Sequence, residues 1–119
     1  MRYIYDTMIN NLKRANMTTS TRKDIVYVVV DLWPMEDKTE DVKKILYDTI
    51  VEAKKDRTCL KYELCENLNE KSQVTLLQAW SNEQALDQHL TSEIINKASE
   101  ELRQLLTKPT EIRRYKNLG

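Results

Sequence analysis

The stretch DIVYVVVDLW, from Asp24 to Trp33, constrains the fold more than any other part of the chain. Read as a strand, it places Val26, Val28, Val30 and Leu32 on one face, and Ile25, Tyr27, Val29, Asp31 and Trp33 on the other. Both faces are largely apolar, so both must be covered. A chain of 119 residues is sized for one domain. The covering layers therefore come from its own helices or from a second copy.

Downstream patterning supplies the helices. Pro34 and the residues after it end the strand, and Asp37 with Glu40 three residues on resembles a capping box that opens a helix. Val42, Ile45, Leu46, Thr49, Ile50 and Ala53 then recur as a single apolar stripe, opposite a charged, solvated face. TCLKYELCENLNEKSQVTLLQAW reads as a hairpin, with Leu60, Tyr62 and Leu64 alternating against Cys59, Lys61, Glu63 and Cys65. Asn67 and Asn69 form its turn, and its second strand runs from about Gln73 to Trp80. Ser81 or Asn82 caps a short helix carrying Ala85, Leu86 and Leu90. Another helix from about Ser92 buries Ile95, Ala98, Leu102, Leu105 and Leu106 until Pro109 breaks it, and TEIRRYKNL forms a last strand.

This order predicts an α+β, ferredoxin-like βαββαβ antiparallel sheet with both long helices on one face. The other face of strands 1 and 3 stays apolar and bare, which is unusual for a monomer. A homodimer packed sheet to sheet is the expected solution. The domain is read as residues 25–119, after an N-terminal extension, residues 1–24, with a short helix near residues 3–14 and an alternative start at Met17.

Counting excludes several chemistries. The only glycine is Gly119, so there is no Gly-rich phosphate loop, dinucleotide fingerprint or serine elbow. A single histidine rules out a His-x-x-x-His zinc helix, and Cys59 and Cys65 lack the second pair that a four-ligand site needs. These thiols are expected on one face of a strand, free and reduced. No cofactor and no metal are expected. Lys plus Arg and Asp plus Glu balance at 19 each, against nucleic-acid binding. No apolar run approaches the roughly eighteen residues of a membrane span, and the N-terminus lacks a secretory apolar region. The cytoplasm is the expected compartment, with an organelle-targeting reading of the basic N-terminus kept open.

One segment carries more specific information. A strand ending in Trp, then Ser-Asn-Glu-x-Ala-Leu-x-x-His-Leu-x-Ser over residues 80–92, resembles the signature of the antibiotic biosynthesis monooxygenase superfamily. CLKYELCENLNEKSQVTLLQAW is similar to that family's hairpin, and the resemblance extends over about residues 25–116. It implies a dimeric α+β barrel with a pocket between sheet and helices, in which several members oxidise quinols or polycyclic phenols with O2 and no metal or flavin. By that resemblance His89 is the base, with the ordinary histidine pKa of about 6.5, Trp80 a flat pocket wall, and Tyr62 a hydrogen-bond partner of a substrate oxygen. Gln78, Leu76 and Tyr47 are candidate substrate contacts, and a small aromatic and O2 are the implied partners.

The chain also departs from the pattern. Gln78 stands where many relatives carry Glu, Thr58 where many carry Gly, and Ile94 where many carry a second His. The haem-degrading branch has Trp at the position of His89 and His at that of Ser99, which disfavours haem degradation here. The autoinducer-processing isomerase branch relies on several histidines and is weakened too. Read without the resemblance, His89 fits a structural helix histidine, Trp80 a core aromatic, and Tyr62 a strand tyrosine with its hydroxyl at the surface. The alternative function is a non-catalytic dimeric binding or scaffold module.

Overall fold

The computed structural model describes residues 23–119, and the helix expected near residues 3–14 lies outside them. The elements are β1 (Val26–Leu32), a 3-10 turn (Glu36–Lys38), α1 (Thr39–Ala53), β2 (Cys59–Glu66), β3 (Val74–Trp80), α2 (Glu83–Leu90), α3 (Glu93–Arg103) and β4 (Glu111–Lys116). The strands lie in the order β2-β3-β1-β4, every pair antiparallel, which is the ferredoxin-like topology.

Because β1 is internal, its register fixes the whole sheet. Val26, Val28, Val30 and Leu32 pair with Trp80, Gln78, Leu76 and Val74 of β3, and all of these side chains face the helices. Val42, Leu46, Ile50 and Ala53 of α1, Ala85 and Leu86 of α2, and Leu102 of α3 close that face into one core. Burying each of the valine, leucine and isoleucine side chains among them contributes about 1.5–3 kcal/mol.

The opposite face is covered less. Ile25 and Ala79 are buried there against Tyr27 and Leu60, while Val29 and Leu77 are half-buried. Asp31, 5% exposed, accepts from Gln73 Nε2 at 2.8 Å, Thr75 Oγ1 at 2.7 Å and Arg113 at 2.7 Å. This buried carboxylate is satisfied by three donors, as burial requires.

Three local expectations are corrected. No capping box forms at Asp37: the residue lies inside a 3-10 turn closed by Lys38 N–H to Met35 O at 2.9 Å, and α1 begins without a side-chain cap. Cys59 and Cys65 do not share a face. A bulge between Cys59 and Lys61 places Cys59 opposite Trp80 on the helix side, and Leu60 with Ile25 on the other. One inserted residue inverts the alternation on one side of it. Both cysteines are free.

The third correction concerns α3, which stops at Arg103, well before Pro109. Residues 105–107 instead run beside residues 33–35. Met35 N–H donates to Leu105 O and Thr107 N–H to Trp33 O, both at 2.8 Å, around a bridge between Pro34 and Leu106. Backbone pairing elsewhere, not proline, ends the helix.

Candidate functional site

Three elements bring three aromatic rings together beneath the helices. The hairpin register sets Tyr62 opposite Gln78, and the strand alternation puts Trp80 on the same face. The chain then turns into α2, where the Asn82 side chain accepts from Ala85 N–H at 2.8 Å, so that His89 on the last turn faces the sheet. Ser92 caps α3 and its hydroxyl donates to His89 O at 2.7 Å, closing the junction. Tyr62, Trp80 and His89 are all buried.

The rings are in contact. Trp80 and His89 lie with centroids 4.5 Å apart and planes tilted by 31°, and Tyr62 meets His89 edge-on at 5.5 Å. The Tyr62 hydroxyl is 3.3 Å from His89 Nε2, a long O–H···N contact compared with the usual ~2.8 Å. Trp80 Nε1 donates to Gln78 Oε1 at 2.9 Å. An indole N–H can only donate, so this bond fixes the amide orientation and leaves the NH2 group of Gln78 as donor. Among the described residues no buried side-chain polar atom lacks a partner.

Burial sets the electrostatics. Desolvation lowers the His89 pKa to about 4, against a small upward pull from Asp56. The pKa thus lies below the expected 6.5, and the imidazole is neutral at physiological pH. Burial also raises the Tyr62 pKa, so the phenol stays protonated. A protonated phenol beside an unprotonated imidazole makes Tyr62 the donor and Nε2 the acceptor.

A cavity of about 580 Å³ opens over this cluster, within the size range of small-molecule sites. Tyr62, Leu76, Gln78 and His89 line it, on a floor completed by Val30 and Leu32. Helix residues Leu46, Ile95 and Leu102, with the segment from Leu106 to Thr110, form its walls. Trp80 does not line the cavity; it backs His89 as a buried core ring. Tyr47 is 55% exposed on the outer side of α1, away from the cavity. The hydroxyl of Tyr62 faces the imidazole rather than the surface.

Sequence reasoning missed Ser99, Arg103 and Lys108 as cavity residues. Helical spacing from Ile95 would have picked out Ser99 and Leu102, but the loop that carries Lys108 gave no periodic signal. Among the described residues, no group of three or more His, Cys, Asp and Glu side chains could hold a metal ion. No helix among them is long and apolar enough to cross a membrane.

Comparison with known proteins agrees with this architecture. Residues 25–101 match the family model described as antibiotic biosynthesis monooxygenase. A conserved protein from Methanosarcina mazei Go1 superposes with a TM-score of 0.79 at 25% identity, over 84% of this chain and 99% of that one. Rv0793 from Mycobacterium tuberculosis superposes with a TM-score of 0.75 at 22% identity, over 80% of this chain and 96% of that one. Among curated proteins, none matches the chain.

Proposed function

This chain belongs to the antibiotic biosynthesis monooxygenase family, and on that premise we propose that it is a cofactor-independent monooxygenase oxidising a small quinol or polycyclic phenol with O2. The observation that carries the reading is the contact between Tyr62 and His89 at the buried end of an apolar cavity of about 580 Å³. Such a cavity takes a flat aromatic body, and the paired groups meet its hydroxyl.

The chemistry runs through a short proton chain. The substrate hydroxyl donates to Tyr62 Oη, and Tyr62 passes its own proton to His89 Nε2, leaving a substrate phenolate and an imidazolium. A neutral histidine of pKa about 4 is a weak base on its own. The adjacent phenolate raises that pKa, because an opposite charge within about 4–6 Å favours the charged form. The Gln78 NH2 group donates to the developing anion.

The phenolate gives one electron to O2, and the resulting phenoxyl radical and superoxide combine at a ring carbon, forming a C–O bond. Protonation by the imidazolium gives the hydroperoxide. Loss of the ring C–H proton with O–O cleavage then yields a quinone carbonyl and water. One phenol and one O2 become one quinone and one water, with no external reductant.

Residues 25–119 form the working domain in this reading, and a second copy covers the half-bare sheet face around Val29 and Leu77. The low basicity of His89 favours one other reading, a binding module of the same fold in which the histidine is structural. Oxygen uptake by the metal-free protein against hydroquinones and polycyclic phenols, beside His89→Ala, decides between them. Saturable uptake that falls at least tenfold in a folded variant supports the monooxygenase. Uptake no faster than buffer, or equal in both proteins, leaves the binding module.

A further inference from the structure

The two ends of the cavity differ in charge. At the buried end stand Tyr62, Gln78 and His89, all uncharged at physiological pH. At the exposed end stand Arg103, on the last turn of α3, and Lys108, in the segment before β4. These two are the charged residues of the lining, and no carboxylate lines the cavity among the described residues. Nor does either cation form an ion pair with a described carboxylate.

Lys108 is also held in place. Its Nζ lies 3.7 Å from the centroid of the Trp33 ring, a cation–π contact. The preceding residues are tied to the segment that follows β1 by the backbone bonds of Leu105 to Met35 and Thr107 to Trp33. Arg103, at the end of α3, lines the same cavity. The lining therefore includes two cations, neither paired with a described carboxylate, above an interior that offers none.

We propose that the ligand of this cavity is a hydroxylated aromatic bearing an anionic substituent, with its hydroxyl at Tyr62 and Gln78 and its anion at Arg103 and Lys108. This deepens the function proposed above and rests on the cavity being an aromatic-substrate site. The physical reason is the cost of misplacing a charge. An anion among Val30, Leu46 and Leu76 would be buried without a partner, whereas at the rim it meets two cations and water. The same asymmetry orients the molecule, so that the carbon to be oxidised sits at the dry end and the charge at the wet one.

The test is isothermal titration of the full chain with 6-hydroxy-2-naphthoate and with its methyl ester, which share one ring system and differ in charge. A second pair, 4′-hydroxybiphenyl-4-carboxylate and its ester, covers a longer span. Wild-type protein is expected to bind the better acid three- to tenfold more tightly than its ester, and most of that preference should vanish at high salt. In Arg103→Met/Lys108→Met, which keeps the apolar stems, the acid should weaken three- to tenfold while the ester stays within twofold. Equal binding of acid and ester by the wild type overturns the proposal but leaves the aromatic site standing. A preference that survives the double substitution places the anion elsewhere and also overturns it. Binding of no compound by a protein with native circular dichroism removes both this inference and the function on which it rests.

Discussion

Trp80 donates its indole N–H to Gln78 Oε1 over 2.9 Å, and that single bond orients the amide that lines the cavity. It joins a ring that backs His89 to a side chain of the cavity lining. Replacing Gln78 with Leu leaves the buried indole N–H without an acceptor, at an expected cost of about 1–3 kcal/mol. Gln78→Glu keeps an acceptor for Trp80 and adds an anion near the imidazole, so the His89 pKa should rise. Urea denaturation of the first variant and an NMR titration of the histidine in the second check the two outcomes. An unchanged midpoint for Gln78→Leu would mean that the bond contributes nothing net.

The proton chain predicts non-additivity. If Tyr62 relays the substrate proton to His89, Tyr62→Phe and His89→Ala remove the same function. Each should lower turnover at least tenfold, and the double variant should be no slower than the worse single one. Multiplying losses in steady-state kinetics would show that the two residues act independently.

The depressed pKa of His89 makes stability fall in acid. The neutral imidazole is buried in the folded protein, whereas the unfolded chain takes up a proton below about pH 6.5. The contribution is fully present above pH 6.5 and is lost as the pH falls toward about 4. The total loss is up to about 3 kcal/mol at 1.36 kcal/mol per pH unit. His89→Gln should flatten this part of the profile, measured as unfolding free energy from pH 7 to pH 4. Identical slopes in the two proteins would place the acid sensitivity elsewhere.

Asp31 and Arg113 should contribute unequally although they share a bond. Asp31 is buried with three donors, so Asp31→Ala, which strands Gln73 and Thr75 as well, should cost about 2–3 kcal/mol. The Arg113 side chain is 54% exposed, and Arg113→Ala should cost about 1 kcal/mol or less, because Gln73 and Thr75 still satisfy the carboxylate. Equal losses in chemical denaturation would contradict this division.

Cys59 and Cys65 should resist forming an intramolecular disulfide. The bulge puts them on opposite faces of β2, and burial pushes the Cys59 thiol up to about 11 and raises Cys65 as well. Little thiolate is present at pH 8, so both should react slowly with a thiol reagent in the folded protein and quickly in urea. A shifted monomer band on non-reducing gels after mild oxidation would refute this.

The element order of this chain follows from local pattern alone. The period-2 run from Val26 to Leu32 and the helical stripe from Val42 to Ala53 each bury one face, whatever lies around them. His89 could likewise be placed on a short helix that follows a strand ending at Trp80. Tertiary structure decided the rest, because it depends on contacts between residues distant in sequence. The bulge at Leu60 arises from pairing with β3, and α3 ends at Arg103 because residues 105–107 bond to residues 33–35. Tyr47 and Thr49 lie two residues apart in one helix, yet Tyr47 faces solvent and Thr49 is buried. The basicity of His89 was the least legible property. An unburied imidazole titrates near 6.5, and only the packing of Tyr62, Trp80 and the helices removes the water that would keep it there.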